Sequence, residues 1–192
     1  MKQEEDMSDF LESYNNPLIQ ILAEFDMFLF VISHRFQNNG YLNNALNNNR
    51  HICIRVLGDF FNNKQFRRDD LCCKDFLGEE HDLSVEVDEE LFDFLNKNTF
   101  HFTTARGTYD DSDKLDSWFV AISKQLIKRI EQFLSLMDTA MSEKYKECVC
   151  DGVTKLRDAI NAKLTTIGWA NGIPNVLLNI SVVDDKKMIS KA

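Results

Sequence analysis

Backbone breakers are scarce in this chain: two prolines and seven glycines in 192 residues. A domain of many short strands joined by tight turns needs more of both, because turn positions with fixed or positive φ fall to those residues. Long apolar runs are missing too, the longest being Met27 to Ile32, far too short to cross a bilayer. The opening MKQEEDMSDF is acidic and has no apolar stretch of the secretory kind, so the reading is a cytoplasmic protein with no membrane partner. Positive charge is in deficit, with 22 Lys and Arg against 31 Asp and Glu, a net charge of −9. That balance argues against a generally basic nucleic-acid-binding surface and leaves room for a local basic cleft.

Metal and redox signatures are equally thin. The five cysteines (Cys53, Cys72, Cys73, Cys148 and Cys150) form no C-x-x-C pair, and a reducing compartment keeps them as thiols. A zinc site built from the last four would need adjacent and one-apart ligands, against the spacing of structural zinc sites. No Gly-rich phosphate loop, G-x-S-x-G or H-E-x-x-H occurs, so no cofactor and no metal are expected. A small-molecule or nucleotide site likewise lacks its usual signature.

What is present is a globular helical pattern. Hydrophobic residues make up 44%, charged residues 28%, and phenylalanine alone contributes fifteen, enough for one domain with a substantial core. Ser8 or Asp9 suits the cap of a first helix that Pro17 bends or restarts. Leu18 to Phe36 carries a sustained apolar face, with His34 and Arg35 in its last turn and Gly40 as its stop. A second helix places Leu42, Ala45, Leu46, Cys53, Val56, Leu57 and Phe60 inward and ends near Phe61. A third starts at Asp88, and a long one runs from Ser112 or Asp113 to about Met141. A last helix from Ser142 carries Tyr145, Val149, Val153, Leu156, Ile160, Leu164 and Ile167. The expected fold is all-α, an antiparallel bundle of about five helices over residues 1–175. Residues 176–192 are read as an extended segment and tail, in which Val176 to Val183 is a short strand or an arm packing on a partner.

Two stretches concentrate chemistry. In Leu91 to Arg106, Leu91, Leu95, Asn98, Phe102 and Ala105 share one helical face, and Lys97 and His101, four apart, share another. On the second helix His51, Arg55 and Asp59 follow one another at intervals of four. This polar line is either a solvated face with one Arg–Asp pair or one wall of a cleft.

HICIRVLGDFF, followed by RRDDLCCKDFL, resembles an H-x-x-x-R-x-L-x-D/E-F-F … D-D-x-x-x-x-D-F pattern. NKNTFHFTTAR resembles an N-K-x-x-x-H-x-T-x-x-R segment. Both belong to a group of uncharacterised bacterial helical proteins similar to the HEPN superfamily, which includes ribonucleases of toxin–antitoxin, abortive-infection and CRISPR systems. The resemblance spans roughly His51 to Arg106. It implies an HEPN-like bundle, pairing as a homodimer, that binds or cleaves RNA without metal and answers to a cognate antitoxin or regulatory protein. His101, Asn96, Arg55 and Arg106 would be its catalytic residues, Lys97 and His51 its RNA contacts, and Asp75 and Phe76 its D-F pair. Asn96 stands where catalytic members of the superfamily carry an arginine.

The chemistry is coherent by itself. Metal-free RNA cleavage needs a group to move protons at the 2′-hydroxyl and the leaving oxygen, and a cation for the phosphorane charge. His101 has the pKa for the first task, and Arg55 or Arg106 the bidentate geometry for the second. Asn96 would orient substrate or imidazole. The other reading is an interaction or regulatory protein in which His101, Asn96, Arg55 and Asp59 form a buried network that fixes the register of the bundle.

Overall fold

The structure is a computed structural model that describes residues 15–36, 39–95, 112–167, 169–170, 173–174 and 181–183. Among these residues the chain forms seven helices: α1 (Pro17–Ser33), α2 (Gly40–Phe61), α3 (Cys73–Leu77), α4 (Glu89–Leu95), α5 (Ser112–Ala140), α6 (Glu143–Lys146) and α7 (Asp151–Thr166). The protein is an all-α bundle. None of the described helices is long and apolar enough to cross a membrane.

Proline restarts the chain as helix at α1. Pro17 occupies the first helical position, where its missing N–H costs nothing, and the Asn16 side chain accepts from the amides of Leu18 and Ile19. Leu18, Ile21, Leu22, Phe25, Phe28, Leu29, Val31 and Ile32 are all buried. Apolar on more than one side, α1 is the helix the others pack around, and it touches α2, α5 and α7. Phenylalanine rings fasten these helices at the centre. Phe25 lies flat on Phe61 at 5.8 Å and edge-on to Phe133 at 5.4 Å, while Phe76 packs on Phe133 at 6.0 Å and on Tyr145 at 4.3 Å.

Three expectations shift. Gly40 opens α2 and is not the stop of α1, because Asn39 accepts from the Leu42 amide and so caps the second helix. The first helix closes at Ser33, where His34 Nδ1 lies 2.8 Å from the Phe30 carbonyl and its ring stacks on Phe30 at 4.2 Å. On α2, Leu42, Ala45 and Val56 face outward, while Leu46, Cys53, Ile54, Leu57, Phe60 and Phe61 are buried. The single helix read from Ser142 is two, α6 and α7, and Val149 in the break is exposed. The break is held from outside by Asn16, whose Nδ2 donates to the Cys148 carbonyl at 2.7 Å, and the start of α6 is held by the Ser142 amide, which donates to the Phe76 carbonyl at 2.6 Å.

Extended pairings among the described residues are too short to form a layer. β1 (His34–Phe36) pairs in parallel with β4 (Ser181–Val183), and β2 (Trp169–Ala170) pairs with β3 (Ile173–Pro174). LSVEV, Leu83 to Val87, runs along α5 with no partner strand among the described residues. Gln125 stands in for one: its Oε1 accepts from the Glu86 amide at 2.8 Å and its Nε2 donates to the Glu86 carbonyl at 3.3 Å. The Asn62 side chain accepts from the Val85 amide at 2.8 Å and ties this segment to the end of α2.

Candidate functional site

The polar line of α2 meets α4 at the C-terminal half of α2. Asp88 caps α4 through its Oδ1, which accepts from the amides of Glu90 and Leu91, and Glu89 and Glu90 suit the positive end of the helix. Leu91, Phe92 and Leu95 are buried. Gly58 of α2 faces the Phe92 ring, and a Cβ there would lie 3.5 Å from Cε2. Between the two helices opens a cleft of about 510 Å³, with Arg55, Asn62, Lys64, Phe66, Glu89 and Asp93 among its walls. Lys64 Nζ stands 5.2 Å from the centre of the Phe92 ring.

Each expected site residue on α2 has a distinct environment. Arg55 lines the cleft, its Nε 3.6 Å from Asp59 Oδ2. At that distance, with both side chains partly exposed, the pair is a loose one. Asp59 has its carboxyl pushed above the ordinary range by burial, against the opposing pull of Arg55 and Lys64. Its Oδ1 is buried with no hydrogen-bond partner among the described residues. His51 is turned to packing: its ring lies on Phe119 of α5 at 4.9 Å with 5° between the planes. Burial lowers its pKa to about 4, and the Arg50 charge adds to the effect. A neutral His51 offers hydrogen-bonding capacity but no positive charge.

Asp75 Oδ2 accepts from the Cys72 amide at 2.8 Å at the start of α3, and Phe76 is wholly buried. Both serve the scaffold. Asn96, Lys97, His101 and Arg106 lie outside the described residues, as do Ser8 and Asp9, and Asn96 follows buried Leu95 directly in the chain.

The loop after α2 contributes residues that the periodicity of α2 and α4 does not point to. Asn62, Lys64 and Phe66 all line the cleft. The signal was a short stretch, KQFRR, in which an aromatic stands among basic residues. Lys64 and Phe66 also border a second cleft of about 370 Å³, which Val56, Asp59 and Asp70 help to line. A third, of about 720 Å³, lies between α5 and α7, and Arg157 there pairs with Asp138 at 2.6 Å. No group of three or more His, Cys, Asp or Glu among the described residues could hold a metal ion.

Chemically the first cleft offers a planar cation, an ammonium and an amide, in the company of two carboxylates. Arg55 suits a phosphate or carboxylate, and Lys64 adds a point charge. Comparison of the chain with protein-family models, curated proteins and solved structures finds no match.

Proposed function

We propose that this chain is an HEPN-like helical protein of the bacterial defence or toxin type that binds or cleaves RNA. The observation that carries the reading is the position of Arg55, on the wall of an open cleft beside α4. From the last residue of α4, Leu95, the sequence runs directly into Asn96, Lys97, His101 and Arg106. In this reading Arg55 and Arg106 bind phosphate oxygens and offset the charge of a phosphorane. His101 moves the proton between the 2′-hydroxyl and the leaving oxygen, and Asn96 orients it. Lys97 contacts the RNA backbone, while His51 holds α2 against α5. The protein acts as a homodimer under a cognate antitoxin or regulatory protein, in the cytoplasm.

A second reading is favoured by the charges of the cleft. Arg55 and Lys64 are matched by Glu89 and Asp93, and Arg55 already faces Asp59. A site so balanced suits a non-catalytic interaction or regulatory protein whose polar motif keeps the bundle in register. Incubating purified protein with total RNA, beside a His101→Ala variant of unchanged melting temperature, separates the two. The RNA reading expects retention or cleavage of RNA by the wild type, with cleavage lost in the variant. A wild type that neither retains nor cleaves RNA would sink the RNA reading.

A further inference from the structure

We infer that Phe66 is a stacking platform for an unpaired base of single-stranded RNA, with Lys64, Arg67 and Arg68 as phosphate-binding groups on either side. This deepens the RNA reading above and rests on it. Phe66 is 70% exposed, an unusual position for a large apolar ring, yet it is not on a loose loop. Asp70 Oδ2 accepts from both the Phe66 and the Arg67 amides at 2.8 Å, and Gln65 Nε2 donates to the Asp70 carbonyl at 3.1 Å. Further back, the left-handed residue Asn63, with φ 54°, accepts from the Lys74 amide at 2.9 Å and anchors the loop to α3. The ring is therefore presented with little ordering left to do on binding.

Its surroundings select the ligand. Phe66 borders two clefts at once, and Lys64 borders the same two. Arg67 and Arg68 are exposed immediately beside it. Within the loop Lys64, Arg67 and Arg68 stand against Asp69 and Asp70, three cations to two carboxylates, and the Asp70 carboxylate is turned to the two loop amides. In a chain of net charge −9 the KQFRR stretch gathers three cations around one exposed ring, while Asp59, Glu89 and Asp93 stand on the walls of the two clefts, and the aromatic centre distinguishes it from a general phosphate-binding surface. A flat exposed ring flanked by Lys and Arg is the arrangement that takes single strands, since every base has a π-face and every linkage a charge. Bases in a duplex are already stacked on one another and are not offered to such a ring.

The test is anisotropy of a fluorescein-labelled 12-nucleotide single-stranded RNA, and of a duplex of that length, titrated with full-length protein over a range of salt. Wild type is expected to prefer the single strand. Phe66→Ala should weaken it about tenfold without changing the salt slope, and Phe66→Trp should restore it. Arg67→Ala with Arg68→Ala should lower the slope of log K against log salt by about 0.7 for each phosphate the variant leaves unneutralised. Because Phe66 is exposed, Phe66→Ala should melt with the wild type. Single-strand binding by wild type and Phe66→Ala alike overturns the platform and leaves the RNA reading standing, and so does a preference for the duplex. No binding by wild type removes both. A change in oligomer mass on Phe66→Ala, with RNA affinity unaltered, would make the ring part of a protein interface instead.

Discussion

Acid should expose the role of His51. Its ring is packed on Phe119, and burial together with the Arg50 charge holds its pKa at about 4, against an ordinary 6.5. The unfolded chain then binds a proton below pH 6.5 that the folded chain refuses until about pH 4. Stability is therefore full above pH 6.5 and declines as the pH falls between those values. At 1.36 kcal/mol per pH unit, the loss between pH 7 and pH 4.5 is about 2 kcal/mol. Other groups work in the opposite sense: Glu24, Asp59 and Glu131 have pKa values raised by burial, so the folded state takes up their protons more readily as pH falls. The informative quantity is consequently a difference. Urea unfolding of wild type and His51→Gln at several pH values isolates it, since the amide cannot charge. The wild type should lose about 2 kcal/mol more than the variant between pH 7 and pH 4.5. Parallel pH profiles for the two proteins would refute the assignment of His51 as a neutral packing residue.

Other consequences concern the scaffold. Phe133 meets Phe25, Phe60 and Phe76 and is wholly buried, so Phe133→Ala should cost about 3–5 kcal/mol in urea unfolding, roughly 6–20 °C in melting temperature. A loss under 1 kcal/mol would mean that the ring cluster is not where α5 is fastened. Asn16→Ala removes the cap of α1 and the hydrogen bond to the Cys148 carbonyl, and should cost about 1–2 kcal/mol, whereas a melting temperature equal to wild type would contradict both roles.

The helical class was legible in the scarcity of breakers and in the spacing of apolar residues on α1 and α5. On α5 the stripe from Trp118 through Met137 is buried as its spacing predicts. What misled were positions where local and tertiary signals compete. Gly40 after QNN reads as a helix stop, but asparagine also caps helices, and Asn39 uses its side chain to start α2. The break between α6 and α7 contains no proline, and the side chain that ties it down, Asn16, lies over a hundred residues earlier in the chain. On α2, Val56 fits the apolar spacing, yet the helix packs along Ile54, Leu57 and Phe61 instead and leaves Val56 at the edge of a cleft.

The candidate site was legible in the same uneven way. Spacing alone put Arg55 and Asp59 together, and the structure finds them so. Spacing could not reveal that His51 is turned onto Phe119, because Phe119 belongs to a helix nearly seventy residues away. Nor could it reveal that the loop after α2 returns beside α4. That return depends on side chains of Asn62 and Asn63 that accept from distant amides.

Arg55 is the residue on which an RNA site in this cleft stands or falls. Its ion pair with Asp59 is partly exposed at 3.6 Å, so replacement should alter stability by no more than about 1 kcal/mol. The measurement is the affinity of wild type, Arg55→Lys and Arg55→Ala for RNA at one fixed ionic strength, with urea unfolding of each beside it. Arg55→Ala should bind at least tenfold more weakly while remaining as stable to within that margin, with Arg55→Lys in between. Equal affinity across the three proteins, or a large loss of stability in Arg55→Ala, would place Arg55 in the scaffold and contradict an RNA site in this cleft.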